Sequence, residues 1–538
     1  AAVASAGLLA GLCWLVAAAA TTRDARPAAT GFVAGLAASG VVHAALGGTD
    51  LAWRTGAWPW LVLALELGLF ALTLRPRPRP ADETGSGSRL WWTLGPALLL
   101  WGLYTGSSSH AQASADGATW AAVVVAVGAV LSVGVVERPA TWTRHPVVPG
   151  VVLVLSAAGF AFGRATVDGV HGVSPTWTVA AQVAGQLALA GCLGWAARSS
   201  SRQTVGEEGS QAGASGFSAR RGVATATGFL VFVVLFFAYY SAYDLGMPNR
   251  WVPLAASVLV AAVSFTRTER PERGRQWTVL GAAVASAMVI PLAMALPGTP
   301  SWSAAPGDGL RVAAYNLRMG YGMDGTMAAA GQAAALRSLR PHVVLLSEVD
   351  RGWFLNGGRD QLRLMSDRLG LKPVWAPAGD EVWGDALLTN LPVVSVRNHV
   401  LAKGGPTGAQ ALEVGVRWRG RVVRFVATHT QPPEGWSSLA QAEQLARIAR
   451  SAAAGGVPVV LGGDLNMQPG DRAFQVLLGA GLNDAFAAVR PFATYPARPR
   501  PTDQIDHILV TPGLTAQDPA KAPVPYSDHL PVAVTLRF

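Results

Sequence analysis

Two hydrophobic patterns divide the chain. Up to residue 298 apolar residues run in long uninterrupted blocks separated by short polar stretches. From residue 310 onward, short apolar runs rich in Val alternate with stretches of helical periodicity. A helix needs about 20 apolar residues to cross a hydrocarbon core about 30 Å thick. Ten blocks approach that length, at 1–20, 30–48, 56–74, 90–106, 118–136, 146–163, 175–197, 222–241, 251–266 and 277–297. The first lacks a basic leading segment and precedes nine similar blocks, so it reads as a span rather than a cleaved leader. The fourth and ninth are short, which leaves nine or eleven spans as alternatives. The stretch Pro297-Gly-Thr-Pro-Ser-Trp-Ser-Ala-Ala-Pro-Gly-Asp308 reads as a linker. The expected organisation is a polytopic domain at 1–298, a linker at 299–309 and a soluble domain at 310–538.

Within the soluble part, Leu310–Asn316 reads as a strand and 327–340 as an Ala-rich helix, followed by a buried strand at 342–348. Further strands are expected at 393–401, 411–418, 421–428, 457–463, 505–511 and 531–537. That many strands with few helices predicts packed sheets flanked by helices.

Charge adds an orientation. The chain carries a formal +10, but 19 of its 42 basic and 13 of its 32 acidic residues precede residue 300, leaving +6 there and only +4 beyond. The modest +4 argues against nucleic acid as the soluble domain's partner. Sixteen arginines lie in the segments after odd-numbered blocks, among them Arg75, Arg77, Arg79, Arg220, Arg221 and Arg275. Only Arg54, Arg164 and Arg250 follow even-numbered blocks. Cytoplasmic loops retain Lys and Arg, so the segment after block ten, and the soluble domain with it, is expected on the extracytoplasmic side of a plasma membrane. Only Lys372, Lys403 and Lys521 are lysines, which reads as a GC-rich bacterial coding bias. Cys13 and Cys192 both fall in apolar blocks, so the soluble domain offers no thiol chemistry. Glu66 is an intramembrane carboxylate, a candidate for function or for a bond to a neighbouring helix; His43 reads as a packing residue.

Candidate chemistry gathers at the strand ends. Asn316 and Glu348 end the first two strands, His429 ends Val-Val-Arg-Phe-Val-Ala-Thr, and Asp464 and Asn466 follow Pro-Val-Val-Leu-Gly-Gly. Asp506 lies in Gln-Ile-Asp-His-Ile, and Asp528 and His529 precede the last strand. Carboxylates hold Mg²⁺ or Mn²⁺ through oxygen, a His beside an Asp is an oriented base, and amides hold phosphoryl oxygens. His507 faces away from Asp506 in a strand and reads as structural, while His342 and His399 read as surface or strand-edge residues. Arg417, Arg419, Arg421 and Arg424 read as a solvated hairpin face rather than a nucleic-acid stripe.

Seven signatures occur in order: Tyr-Asn-Leu-Arg, Ser-Glu-Val, Gly-Asp-Ala-Leu-Leu-Thr, Thr-His-Thr, Gly-Gly-Asp-Leu-Asn, Ile-Asp-His-Ile and Ser-Asp-His-Leu-Pro-Val. With them, residues 310–538 resemble the endonuclease/exonuclease/phosphatase family, which includes DNase I and neutral sphingomyelinases. The resemblance implies an α/β four-layer sandwich (DNase I-like) and hydrolysis of phosphoester bonds. It makes Glu348, Asn316 and Asp528 the metal ligands, for Mg²⁺ or Mn²⁺. It assigns His529 with Asp506 to the phosphate or the attacking water, Asp464 to acid/base work, Asn466 to positioning, and His429 to a phosphate oxygen. The family's usual Asn is Asp385 here, and a usual Arg is Gln504.

Many spans followed by such a domain resemble eukaryotic Cwh43-type proteins and actinobacterial membrane proteins of the teicoplanin-resistance kind. The expected substrate is therefore a membrane lipid or a lipid-linked phosphate. The alternatives are a surface-tethered nuclease, or a transporter or lipid-handling membrane module with a regulatory phosphoesterase-like domain.

Overall fold

The computed structural model describes residues 2–22, 25–51, 56–73, 88–115, 117–137, 145, 147–163, 166–167, 170–171, 176–198, 211–245, 247–265, 277–295, 300–402, 408–432 and 438–538. Most of the arginines that set the expected orientation, including Arg54, Arg75, Arg77, Arg79, Arg164 and Arg275, lie outside the described residues, as do Pro297–Thr299 of the linker. The chain forms two compact units. One comprises Ala1–Gly163, Ser174–Ser241 and Pro248–Leu296; the other comprises Arg164–Val173, Ala242–Met247 and Pro297–Phe538.

The first unit is helical: α1 (Ala2–Thr21), α2 (Ala25–Ala45), α3 (Trp58–Thr73), α4 (Ser88–Leu100), α5 (Ser108–Ala113), α6 (Thr119–Glu137), α7 (Val147–Phe162), α8 (Trp177–Arg198), α9 (Gln211–Leu245), α10 (Trp251–Ser264) and α11 (Trp277–Ala295). Each predicted apolar block coincides with a helix, the fourth with α4 and its π-helical extension Trp101–Thr105. Among the described residues, five helices are long and apolar enough to cross a membrane: Ala25–Ala45, Thr119–Glu137, Trp177–Arg198, Ala219–Ala242 and Thr278–Ala295. Ala6–Thr21, Trp58–Leu72, Val147–Phe162 and Trp251–Ser264 are apolar but shorter. Small residues bring helices into backbone contact, as is common where lipid supplies no hydrophobic drive between them. A Cβ on Gly95 of α4 would stand 2.0 Å from the Gly228 carbonyl oxygen of α9. Glu66 lies on an exposed side of α3.

In the second unit, β1 (Thr166–Val167) and β2 (Val170–His171) form a small ladder of their own. The main body contains β3 (Leu310–Asn316), α12 (Ala329–Leu339), β4 (Val343–Asp350), α13 (Gln361–Leu369), β5 (Lys372–Asp380), β6 (Trp383–Thr389), β7 (Val393–Val400) and β8 (Gln410–Trp418). It continues with β9 (Arg421–Thr428), α14 (Ser438–Ala452), β10 (Val459–Asp464), α15 (Arg472–Gly479), β11 (Asn483–Asp484), β12 (Asp506–Val510), β13 (Thr515–Lys521) and β14 (Val532–Arg537). One six-stranded sheet has the order β13-β14-β3-β4-β6-β5, the other β11-β12-β10-β9-β8-β7.

The strands read as nearly continuous apolar runs because both faces of each sheet are covered. Leu310, Val312 and Ala314 face Val414, Phe425, Val460 and Ile508 in the core between the sheets. The alternate positions Ala313 and Tyr315 pack with Leu336 of α12 and Met365 of α13. Val426, Leu461 and Leu509 pack with Leu445 of α14 and Phe474 of α15. The result is the four-layer helix–sheet–sheet–helix sandwich. β5, β6 and β13 were not anticipated. β5 carries Pro373 and Pro377, β13 is half-exposed and carries charges, and neither shows a clean strand period.

Pairing explains why the ends of these strands meet. β3 runs parallel to β4, and β10 parallel to β9. β14 returns antiparallel with Val532 opposite Ala314, and β12 places Asp506 opposite Asp464. The carboxyl ends of β3, β4, β9 and β10 and the starts of β12 and β14 therefore share one edge. Phe425, fully buried between the sheets, should cost about 3–5 kcal/mol when truncated to Ala; thermal unfolding followed by tryptophan fluorescence should show the lowered midpoint.

Candidate active site

Asn316, at the end of β3 and fully buried, joins the two sheets. Its Nδ2 donates to Glu348 Oε1 (3.0 Å) from the same sheet and to Asp464 Oδ2 (2.9 Å) from the other. Its Oδ1 accepts from the Arg318 backbone N–H (2.9 Å). Glu348 is aimed into this space by a break in the β4–β6 register between Leu346 and Val349. It takes φ +52° there. Left-handed backbone at a non-glycine residue is costly and concentrates at functional sites, and a bulge is a common device for turning one side chain. Asn466 is left-handed as well, at φ +47°.

Asp464 is the hub. Its Oδ1 accepts from the Asn466 backbone N–H (2.9 Å), while Oδ2 lies 3.6 Å from His429 Nε2 and 3.5 Å from His529 Nε2. His529 Nδ1 donates to Asp506 Oδ2 at 2.8 Å in a buried pair. Asn466 Nδ2 donates to the Thr430 carbonyl (2.8 Å) and sits 3.1 Å from His429 Nε2. Gly463, which precedes the hub, has φ +137°, and a Cβ there would stand 2.1 Å from the Thr428 carbonyl oxygen. Only glycine lets β10 approach β9 at this point.

Seven of the eight predicted site residues thus form one connected set. Asp528 is nearby but turned aside: its Oδ2 lies 3.4 Å from Arg318 Nε, and its Oδ1 3.2 Å from Ser527 Oγ. Two groups of side chains offer ligand atoms within 4.8 Å of one another, Glu348 with His429 and Asp464, and Asp464 with Asp506 and His529.

Comparisons with known proteins find one family and several solved structures similar to this part of the chain. The sequence pattern of the Endonuclease/Exonuclease/phosphatase family matches residues 313–529. Residues 313–529 are thus similar to that family. Similar solved structures include an endonuclease/exonuclease/phosphatase from Beutenbergia cavernae (24% identity, 43% of this chain and 72% of that chain, TM-score 0.35). A mannosyl-6-phosphatase from Bacteroides thetaiotaomicron has 20% identity over 43% of this chain and 100% of that chain, with TM-score 0.36. The human Nocturnin catalytic domain has 19% identity over 43% and 96%, with TM-score 0.35. No curated protein matches the chain.

The electrostatics of this domain assign protons. Burial opposes a charge on His529, but Asp506 and Asp464 outweigh it and raise its pKa to about 10. Burial likewise opposes charge on His429, and Asp464, Glu348 and Asp385 again prevail, moving its pKa upward. Both imidazoles are therefore held toward the cationic form. His507 is structural, its Nε2 2.8 Å from the Met467 carbonyl and its ring against Phe474. His342 Nδ1 accepts from Arg311 N–H, and His399 pairs with Glu413 on an edge strand. Arg417, Arg419 and Arg421 are exposed at the β8–β9 turn, and Arg424 reaches the Ala452 carbonyl. That turn is the opposite end of β9 from His429.

Four neighbours of the site carried no assigned role in the sequence. Ser527 Oγ donates to the Asn316 carbonyl (2.7 Å) and accepts from His529 N–H. Arg318 holds Asp528. Tyr495 lies 4.9 Å from the His529 ring and Trp383 6.2 Å from the His429 ring, centroid to centroid. Ser527 and Arg318 stood inside quoted signatures; Tyr495 and Trp383 reach the site only through tertiary packing. Gln504 is buried with its Nε2 3.4 Å from His507 Nδ1, so it braces the domain rather than facing a ligand.

Asp385 does lie within the site. Burial raises its pKa to about 6, opposed by His429 and by the hydrogen bond from Gln410. Among the described residues its Oδ1 has no hydrogen-bond partner. An acid whose folded pKa is raised favours the fold below its unfolded pKa and loses that contribution as pH rises through about 6. Asp385→Asn should therefore raise the unfolding midpoint at pH 7.5 and have little effect near pH 4, which parallel thermal melts would register.

Proposed function

We propose that the chain is a multi-pass membrane enzyme whose C-terminal domain, on the extracytoplasmic side, hydrolyses phosphodiester or pyrophosphate bonds of membrane lipids or lipid-linked precursors. The observation that carries this reading is Asp464, shared by Asn316, His429 and His529, in a chain that also has five helices suited to crossing a membrane. A domain anchored in this way works beside lipid headgroups, where local concentration favours a lipid-linked phosphate. The sparse arginines of the segments after even-numbered blocks support the extracytoplasmic side.

The donor set fits a divalent cation. Glu348 and Asp464 lie side by side, carboxylate oxygens suit Mg²⁺ or Mn²⁺, and the Asp506–His529 pair is already engaged with itself. Glu348 would hold the ion, with Asn316 beside it. When bound, it supplies Lewis-acid charge to a phosphoryl oxygen.

The residues of the chain do the rest. Cationic His529, oriented by Asp506, donates from Nε2 to a phosphoryl oxygen as negative charge develops, and His429 is placed to do the same. His529, already protonated, is unsuited to be the base. Asp464, held by the Asn466 and Asn316 N–H groups, accepts the proton of the attacking water. The water oxygen forms its bond to phosphorus as the ester or anhydride P–O bond breaks. The exposed arginines at the far end of β9 do not line this site, which weighs against a nuclease groove.

Full-length protein in detergent, given phospholipids, sphingomyelin, polyprenyl pyrophosphate and DNA with Mg²⁺ or EDTA, tests the reading. Release of phosphate or headgroup from a lipid should require Mg²⁺ and fall by at least about 100-fold in Asp464→Ala and in His529→Ala. Cleavage of DNA alone would overturn the lipid assignment.

A further inference from the structure

The helical unit contains a second polar constellation, at the end of the bundle where α2, α4 and α7 finish and α6 and α8 begin. Its origin is a broken helix. α4 passes into the π-helical turn Trp101–Thr105, closed by the Gly106 N–H on the Trp101 carbonyl (2.8 Å). After Ser107, which caps the next turn through His110 N–H, the short helix α5 runs from Ser108 to Ala113, buried throughout. Irregular backbone at membrane depth is tolerated only where protein or a polar cavity satisfies it, and π-turns are frequent at functional positions.

Two glutamines on one face of α8, spaced i and i+4, satisfy the break. Gln182 Nε2 donates to the Tyr104 carbonyl (2.8 Å) and Gln186 Nε2 to the Thr105 carbonyl (2.7 Å). Their amide N–H groups are thereby engaged, while their carbonyl oxygens are not. Among the described residues Gln182 Oε1, Gln186 Oε1, Gln112 Oε1 and Ser108 Oγ are buried without a hydrogen-bond partner. Ser108 and Gln112 are likewise i and i+4, on one face of α5. A relay of polar groups reaches this end of the bundle from outside. Half-exposed Asp50 pairs with His43 Nδ1, and His43 Nε2 lies 3.4 Å from Ser109 Oγ.

Unpartnered buried oxygens are costly, and a helix break that needed only its own carbonyls satisfied would not require four of them. Three of these four unpartnered atoms are amide oxygens, which only accept, so the complement is a donor. A phosphate group has nothing to donate at neutral pH, and a buried ammonium needs a carboxylate beside it, which none of these four groups supplies; a neutral hydroxylated headgroup needs only acceptors. We propose that this end of the helical unit binds the hydroxyl-bearing headgroup of a membrane lipid, accepted by Ser108, Gln112 and Gln182. The inference depends on membrane residence and is independent of what the catalytic domain hydrolyses.

The test uses full-length protein in a detergent lacking hydroxyls, with phosphatidylglycerol, phosphatidylethanolamine and phosphatidic acid of identical acyl chains as probes. Phosphatidylglycerol should raise the thermal midpoint, as a ligand of the folded state does, and the other two should not. Ser108→Ala and Gln112→Met should melt no lower than wild type without lipid, because each removes an unpartnered buried polar atom. Each should need at least tenfold more phosphatidylglycerol for the same shift. Ser108→Ala removes a single oxygen and keeps the test available if Gln112→Met misfolds. Equal shifts from all three lipids, a shift with the amine lipid alone, no shift, or variants that respond like wild type would each overturn the proposal.

Discussion

The C-terminal domain depends on one carboxylate oxygen. Asp464 Oδ2 takes a hydrogen bond from Asn316 across the sheet interface and faces both His429 and His529. Glu348, Asp385, Asp464 and Asp506 lie close enough that their unrelieved ionisation in a buried space would be prohibitive. The two imidazoles and the Asn316 amide relieve it. His529 in particular is driven toward its cationic form by Asp506 and Asp464, at a position where the same charge can meet a phosphoryl oxygen. The groups that relieve the buried carboxylates are thus the same ones the proposed chemistry would use.

That arrangement is possible because of how the sheets are paired. The parallel neighbours β3–β4 and β9–β10 send their carboxyl ends to one edge, and the antiparallel returns of β12 and β14 bring Asp506 and His529 back to it. The core between the sheets fixes their spacing, so an amide as short as that of Asn316 can span from Glu348 to Asp464. Local backbone cost is accepted where it aims a side chain, at Glu348 and Asn466, and glycine takes the most crowded position, Gly463.

The helical unit follows a different logic. Where β-strands satisfy their polar backbone by pairing, its helices satisfy theirs internally, and small residues such as Gly95 and Gly228 allow close approach. The exception is the π-turn after α4, whose carbonyls are met by Gln182 and Gln186. A polar repair of this kind within apolar helices concentrates hydrogen-bonding capacity at one end of the bundle.

Much of this was legible in the primary structure, for physical reasons. Apolar blocks of membrane length and strands buried on both faces have composition signals that survive without tertiary context, and all eight expected strands begin and end within two residues of their predicted positions. The polar residues at strand ends were legible because a side chain that breaks an apolar run at its end needs a reason to be there. What the chain order could not convey was pairing. Only the tertiary structure turned Asp528 toward Arg318, placed Tyr495 against His529, brought Asp385 within reach of Glu348 and His429, and carried the arginine hairpin to the end of β9 away from the site. β5 and β13 escaped detection because Pro and charged residues blur their period, and they are strands because edge positions in a sheet tolerate both. Residue types and spacing determine which groups can take part in the chemistry; the distances that make Asp464 the hub exist only once two sheets have closed on each other.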